Sequence, residues 1–179
     1  VVNTISGFQR PVGIAFTPDG RFAYVVNFSG GRVKVVDTST NAIVATIETG
    51  NDSFGIAMLP SGTHAYVSNR GGDAANIENH SVWVIDTATN TVTAKIPEGL
   101  GPHWLVASED RSLVYVGSEK DRALVGGLVS VIDTATNTVI DEVATGGRSV
   151  GVVLSPDELT LFATNVNDAR DVSVIDTAT

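Results

Sequence analysis

The chain has no cysteine, one methionine and only three lysines, Lys34, Lys95 and Lys120. Without cysteine there is no disulfide, no thiolate nucleophile, no Cys-ligated zinc and no c-type haem attachment. Redox logic therefore leaves the compartment open. No apolar run approaches the ~18 residues that a spanning helix needs. Eleven Lys and Arg stand against 20 Asp and Glu, for a net charge of −9. Phosphate backbones and anionic membrane surfaces are held by clustered cations, so neither nucleic acid nor membrane is an expected partner.

Catalytic signals are as scarce. The three histidines, His64, His80 and His103, share no metal-ligand spacing. No Ser–His–Asp order can be argued, and no Gly-rich phosphate loop opens a helix. The segment Asn165–Asp171 ("NVNDARD") bears oxygen ligands at short spacing but lacks the EF-hand order and its closing Glu. These residues predict no catalytic group, no metal, no cofactor and no enzyme.

What the sequence does hold is one phrase written four times. "VIDTATNTV" stands at Val84–Val92 and again, unchanged, at Val131–Val139. It reads "VVDTSTNAI" at Val35–Ile43, and "VIDTAT" at Val174–Thr179. Its Asp falls at 37, 86, 133 and 176, in steps of 49, 47 and 43. Three further phrases keep this beat. "VGIAFTPDG" (Val12–Gly20) matches segments starting at Phe54, His103 and Val150. "FAYVVN" (Phe22–Asn27) matches segments starting at His64, Leu113 and Leu161. "NAIVATIETG" (Asn41–Gly50) matches those starting at Asn90 and Asn137.

Each unit thus holds four short Val-, Ile-, Ala- and Tyr-rich runs divided by Pro, Gly, Asp and Asn, which is strand–turn punctuation. No stretch keeps a 3.6-residue apolar period, so no helix is predicted. Four strands per unit of ~45 residues is propeller arithmetic. The expected fold is all-β: a single four-bladed β-propeller of four antiparallel strands per blade, its fourth blade completed by the N-terminal strand. The blades are expected at about 8–50, 51–100, 101–147 and 148–179, the last joined by strand 1–7.

The phrases have local reasons. In "DTATN" the Asp accepts from the N–H two residues on, and the Asn tolerates a left-handed backbone. Asp37, Asp86, Asp133 and Asp176 therefore read as turn residues. The Asn closing the second strand (Asn27, Asn69, Asn165) reads as a tie for the loop after it. Tyr24, Tyr66, Tyr115 and Phe162 read as blade core.

With its "YVVN" and "YVSN" strands, its "TPDG" and "SPDE" turns and its "VVDTSTN" and "VIDTATN" turns, the chain resembles the YVTN β-propeller repeats of archaeal and bacterial surface and secreted proteins. The resemblance covers essentially the whole chain. It implies an extracellular or cell-surface location, which a first residue of Val1 rather than Met also fits. Members of that family commonly have seven blades.

The fourth phrase stops before its last strand. The matching strand lies at the other terminus, where "VVNTISG" (Val1–Gly7) reads like "IVATIETG" (Ile43–Gly50). The connection from Ile5 to Gly13 is as long as that from Ile47 to Gly55. Val1, Val2, Asn3, Thr4 and Ile5 are therefore expected to pair with the edge formed by Asp171, Val172, Ser173, Val174 and Ile175. Pairing within the chain closes a ring. Pairing between chains makes the protein its own partner, head to tail, as a homo-oligomer or filament, because such a contact runs on unless the rotation closes.

For a ligand, the candidate face is the mouth where aligned strand starts place Arg10, Asp52 and Arg148, with His103 and Trp104 replacing the usual Val-Gly. Two Arg against one Asp could hold a carboxylate or sulfate; the alternative is a plain salt-bridge cluster. The long inserts Arg70–His80 and Glu119–Gly127 flank this face.

Overall fold

The computed structural model describes residues 1–71, 80–98, 101–119, 126–166 and 170–178. Over these residues the chain is all-β. The first sheet holds β1 (Pro11–Phe16), β2 (Phe22–Asn27), β3 (Arg32–Asp37) and β4 (Ala42–Glu48). The second holds β5 (Ser53–Met58), β6 (His64–Asn69), β7 (Ser81–Asp86) and β8 (Thr91–Pro97). The third holds β9 (Pro102–Ala107), β10 (Leu113–Glu119), β11 (Gly127–Asp133) and β12 (Thr138–Thr145). The fourth has three strands, β13 (Arg148–Leu154), β14 (Thr160–Val166) and β15 (Asp171–Asp176). Every sheet is an antiparallel meander in chain order.

The repeated phrases do the turn work expected of them. Asp37 Oδ1 accepts from the Ser39 and Thr40 amides at 2.9 Å each, and Asp133 Oδ1 from Ala135 and Thr136 at 3.0 and 2.7 Å. Asn41, Asn90 and Asn137 all have φ of 55–58°, a left-handed conformation that Asn bears more cheaply than most residues. The same Asn has a second task. Tyr24 donates its hydroxyl to Asn90 Oδ1 at 2.7 Å, and Tyr66 to Asn137 Oδ1 at 2.6 Å. Each bond joins one sheet to the turn of the next. Burial pushes both phenols up to about 12.

The sheets pack face to face in series. Tyr24, Val33, Val35 and Ile47 of the first meet Ile56, Ala65, Val67 and Ile85 of the second. The second meets the third through Tyr66 and Val84 against Leu105, Val114 and Ile132. The third meets the fourth through Tyr115 and Val131 against Leu161 and Ala163. The leading strands β1, β5, β9 and β13 contact one another in that order, and β13 makes no comparable contact with β1. Glycine permits the close approach: a Cβ on Gly13 would lie 2.7 Å from the Phe54 carbonyl oxygen, and one on Gly55 would collide with the His103 carbonyl.

Of the two pairings expected for Val1–Ile5 with Asp171–Ile175, the one within the chain is not formed, and two further expectations are corrected. Residues 1–8 carry no strand, Val1 and Val2 are fully exposed, and β15 is bonded on one side only. The physical reason is that the first and fourth sheets are not neighbours, so the N-terminal segment lies against its own first sheet. There Ile5 and Phe8 pack on Ala23, Val25 and Val36. Phe162 is not core; it is 40% exposed where Tyr24 is 1%, because no sheet covers the outer face of the fourth. Asn27 and Asn69 tie the connection that leads into the sheet rather than the loop after themselves, whereas Asn165 reaches both ways. Asn27 Oδ1 accepts from the Gln9 amide at 3.3 Å, and Asn69 Nδ2 donates to the Thr49 carbonyl. Asn165 Oδ1 likewise accepts from Ser149 at 3.0 Å, though its amide also donates forward to Asp171 at 2.8 Å.

Candidate functional site

The leading strands enter their sheets from one face, where the second strands also exit. The two sets of ends are tied by a repeated backbone bond. Phe28 N–H donates to the Arg10 carbonyl, Arg70 N–H to Asp52, and Glu119 N–H to Gly101, at 3.1–3.2 Å. Arg10, Asp52 and Gly101 are thus equivalent positions, and so are Phe28, Arg70 and Glu119.

Side chains from these positions form a ladder across the face. Arg10 stacks its guanidinium 4.4 Å from the Phe28 ring centre. Phe28 meets Phe54 edge-on at 6.2 Å, and Phe54 meets His103 at 5.2 Å and Trp104 at 5.5 Å. Arg70 lies 5.8 Å over Phe54. At the far end Glu119 accepts from Arg70 at 2.5 Å and pairs with Arg148 Nε at 2.5 Å. His103 Nε2 lies 3.2 Å from Glu119 Oε1 and 3.1 Å from Arg148. A neutral ring can donate to the first or accept from the second, not both.

Burial raises the Glu119 carboxyl, but the His103 hydrogen bond and the Arg148 and Arg70 charges outweigh it and hold it at about 2. Burial lowers His103 below its ordinary value despite Glu119, and the two Arg lower it further. At neutral pH the group is therefore two guanidiniums, one carboxylate and a neutral imidazole, a surplus of one positive charge.

Of the expected mouth residues, the structure brings His103 and Arg148 together with Trp104 close by. Arg10 stands at the opposite end of the ladder. Asp52 contributes its carbonyl, in a left-handed turn with φ of 57°. Of the residues that organise the site, Arg70 and Glu119 entered the sequence reading only as the first residues of the two long inserts, and Phe28 and Phe54 were not singled out. The available signal was position: Phe28, Arg70 and Glu119 each directly follow the residue that closes the second strand's motif. The central parts of the inserts Arg70–His80 and Glu119–Gly127, and residues 167–169 of the Asn165–Asp171 segment, lie outside the described residues.

At the second sheet, beside the connection that leads into it, is a cleft of about 300 Å³ lined by Asn51, Asn69, Trp83 and Lys95 among others. The Lys95 ammonium sits 4.0 Å over the Trp83 ring and occupies a face on which a sugar would stack. Among the described residues no group of three or more His, Asp and Glu could hold a metal ion, and no helix is long and apolar enough to cross a membrane.

No protein-family model matches the chain, and no curated protein does. Solved structures do match. A chain of Kuenenia stuttgartiensis hydrazine synthase superposes with a TM-score of 0.84 at 25% identity, covering 99% of this chain and 49% of that one. The dihydro-heme d1 dehydrogenase NirN, in complex with DHE, gives 0.75 at 17% identity, covering 97% of this chain and 36% of that one. Both contain β-propellers, and with the four meanders they support a propeller-like fold. The present chain spans about half the length of the first and about a third of the second.

Proposed function

We propose that this chain is a non-enzymatic, extracellular or cell-surface propeller module of YVTN type whose function is to self-associate. Its four sheets are four blades, and the fourth blade is completed by Val1–Ile5 donated head to tail from another copy. The observation that carries this reading is the bare edge of β15. It is a six-residue strand bonded on one side, with Val172 and Val174 52% and 64% exposed. Such an edge is an aggregation hazard unless a strand covers it. An apolar segment of the right repeat phase, "VVNTI", lies at the other end of the same chain, with Val1 and Val2 fully exposed and only Ile5 packed on the first sheet.

The test is removal of Val1–Ile5 with sedimentation and electron microscopy of both proteins. The full chain is expected to associate and the truncated chain to stay monomeric. Assemblies that persist without these residues refute strand donation, and a full chain that is monomeric at every concentration refutes self-association. A second reading, a small carboxylate, sulfate or acidic glycan bound at the ladder, draws on the surplus positive charge around Arg70, His103 and Arg148. Calorimetric titration with sulfate, lost in Arg148→Gln, would favour it.

A further inference from the structure

The cleft at the second sheet is furnished with side chains that the repeat does not ask for. Trp83 and Lys95 stand directly opposite each other on β7 and β8. At the position of Trp83 the other sheets carry Lys34, Ser130 and Ser173, and at that of Lys95 they carry Thr46 and Glu142. Each sheet forms with whichever of these it has, so the fold demands neither the indole nor the ammonium. Asn69 and Ser81 are a second cross-strand pair, two residues along from Trp83 and on the same face. Trp83 donates its indole N–H to Ser81 Oγ at 2.8 Å, which fixes the edge of the ring. The connection from the first sheet passes close by at Gly50. There φ is 75°, and a Cβ would lie 3.0 Å from Trp83 Cζ2 and collide with the Asn69 amide nitrogen.

These walls hold one cation and one open acceptor. The Lys95 ammonium is held 4.0 Å over the indole, and among the described residues no carboxylate pairs with it. Because it sits where a sugar face would stack, the ring's task is to hold the cation in place. Asn69 is 2% exposed. Its amide nitrogen donates to the Thr49 carbonyl, which settles which end of the amide is oxygen. Oδ1, at the other end, is buried and meets no donor among the described residues. A buried acceptor in that state is costly and asks for a partner.

We infer that this cleft binds a small hydroxylated carboxylic acid, one acidic monosaccharide unit, with its carboxylate on the Lys95 ammonium and a hydroxyl donating to Asn69 Oδ1. The inference depends neither on self-association nor on an anion at the ladder. Size is the first ground. At about 300 Å³ the cleft stands at the small end of the roughly 300–1,000 Å³ of ligand sites, room for one sugar-sized unit. Charge is the second. A single ammonium answers a single carboxylate, and no arginine fork lines the cleft for a dianion. Hydrogen bonding is the third. Sulfate has no hydrogen to give to Asn69. The ammonium of an amino acid finds no carboxylate among the described lining residues, and a neutral sugar leaves Lys95 without a counter-charge.

The test is titration with D-glucuronate at fixed ionic strength, beside glucose, acetate and sulfate. Binding is read by calorimetry on the unaltered protein and by fluorescence on Trp104→Phe, where Trp83 is the one indole left. Glucuronate is expected to saturate both signals, and to bind at least about tenfold more tightly than glucose, acetate or sulfate. Lys95→Met is expected to weaken it more than about tenfold. Asn69→Ser installs the residue that the third sheet has there, Ser118, and is expected to weaken it roughly fivefold. Both variants are expected to keep their strand-type circular dichroism, since the repeat tolerates other residues at both positions. Glucose bound as tightly as glucuronate would overturn the pairing with Lys95. Acetate or sulfate bound as tightly would overturn the contact with Asn69. No response to glucuronate in either measurement would overturn the site. A response that survives Lys95→Met but is lost in Arg148→Gln would overturn the cleft in favour of the ladder.

Discussion

Replacing Glu119 by Gln is the sharpest probe of the ladder. The carboxylate is 16% exposed and has three partners, Arg70, Arg148 and His103. Its folded value of about 2 lies below the ordinary 4.5. At ~1.4 kcal/mol per tenfold, that gap is a preference for the charged form on the order of 3 kcal/mol. Arg70 and Arg148 keep 26% and 29% of their exposure, so water recovers part of the loss when the partner goes. The net cost expected at pH 7 is about 2 kcal/mol. Urea unfolding of both proteins from pH 7 down to pH 3 measures it. Because the folded value is depressed, Glu119's contribution is whole above about 4.5 and is lost as pH falls toward about 2. The difference between the two proteins should therefore hold steady to about pH 5 and narrow below it. His103, whose folded value is lowered, adds a loss of stability below about pH 6.5 in both proteins. Because Glu119 raises His103, that loss is larger without the carboxylate, so the comparison is made in a His103→Gln background, where the difference reports on Glu119 alone. The Glu119→Gln, Arg148→Gln double variant should cost less than the two single changes together. A difference under about 0.5 kcal/mol at pH 7, or one that widens as pH falls, would refute the ion cluster as described.

Tyr66→Phe removes the bond to Asn137 and should cost about 1 kcal/mol in thermal or urea unfolding, with strand content unchanged. Gly55→Ala, whose methyl would collide with the His103 carbonyl, should cost about 2–3 kcal/mol. It should also weaken the coupling between Glu119 and Arg148, because His103 must shift to make room. Val35→Ala and Val174→Ala change the same repeat position, 1% and 64% exposed. In solutions too dilute for association, the first should cost about 2 kcal/mol and the second less than about 0.5.

How legible each feature was follows from how local its cause is. The turns could be read because the Asp of "DTATN" bonds amides two and three residues away. Short-range chemistry survives in a single sequence. The second role of the Asn in that phrase could not, because Asn90 and Asn137 accept from tyrosines 66 and 71 residues distant. The aligned strand starts singled out His103 and Arg148, which the structure brings together, but not the carboxylate between them. At the position of Glu119 the repeat puts Phe28 and Arg70, so no shared residue type marks it; what recurs is the backbone bond to the preceding strand start. Closure is the extreme case. Whether the first and fourth sheets meet depends on the angle between sheets, which depends on how far a Tyr or a Gly holds two faces apart. The length of the repeat carries none of that. It shows in the structure as the same valine buried at Val35 and bare at Val174, a contrast that two identical letters cannot express.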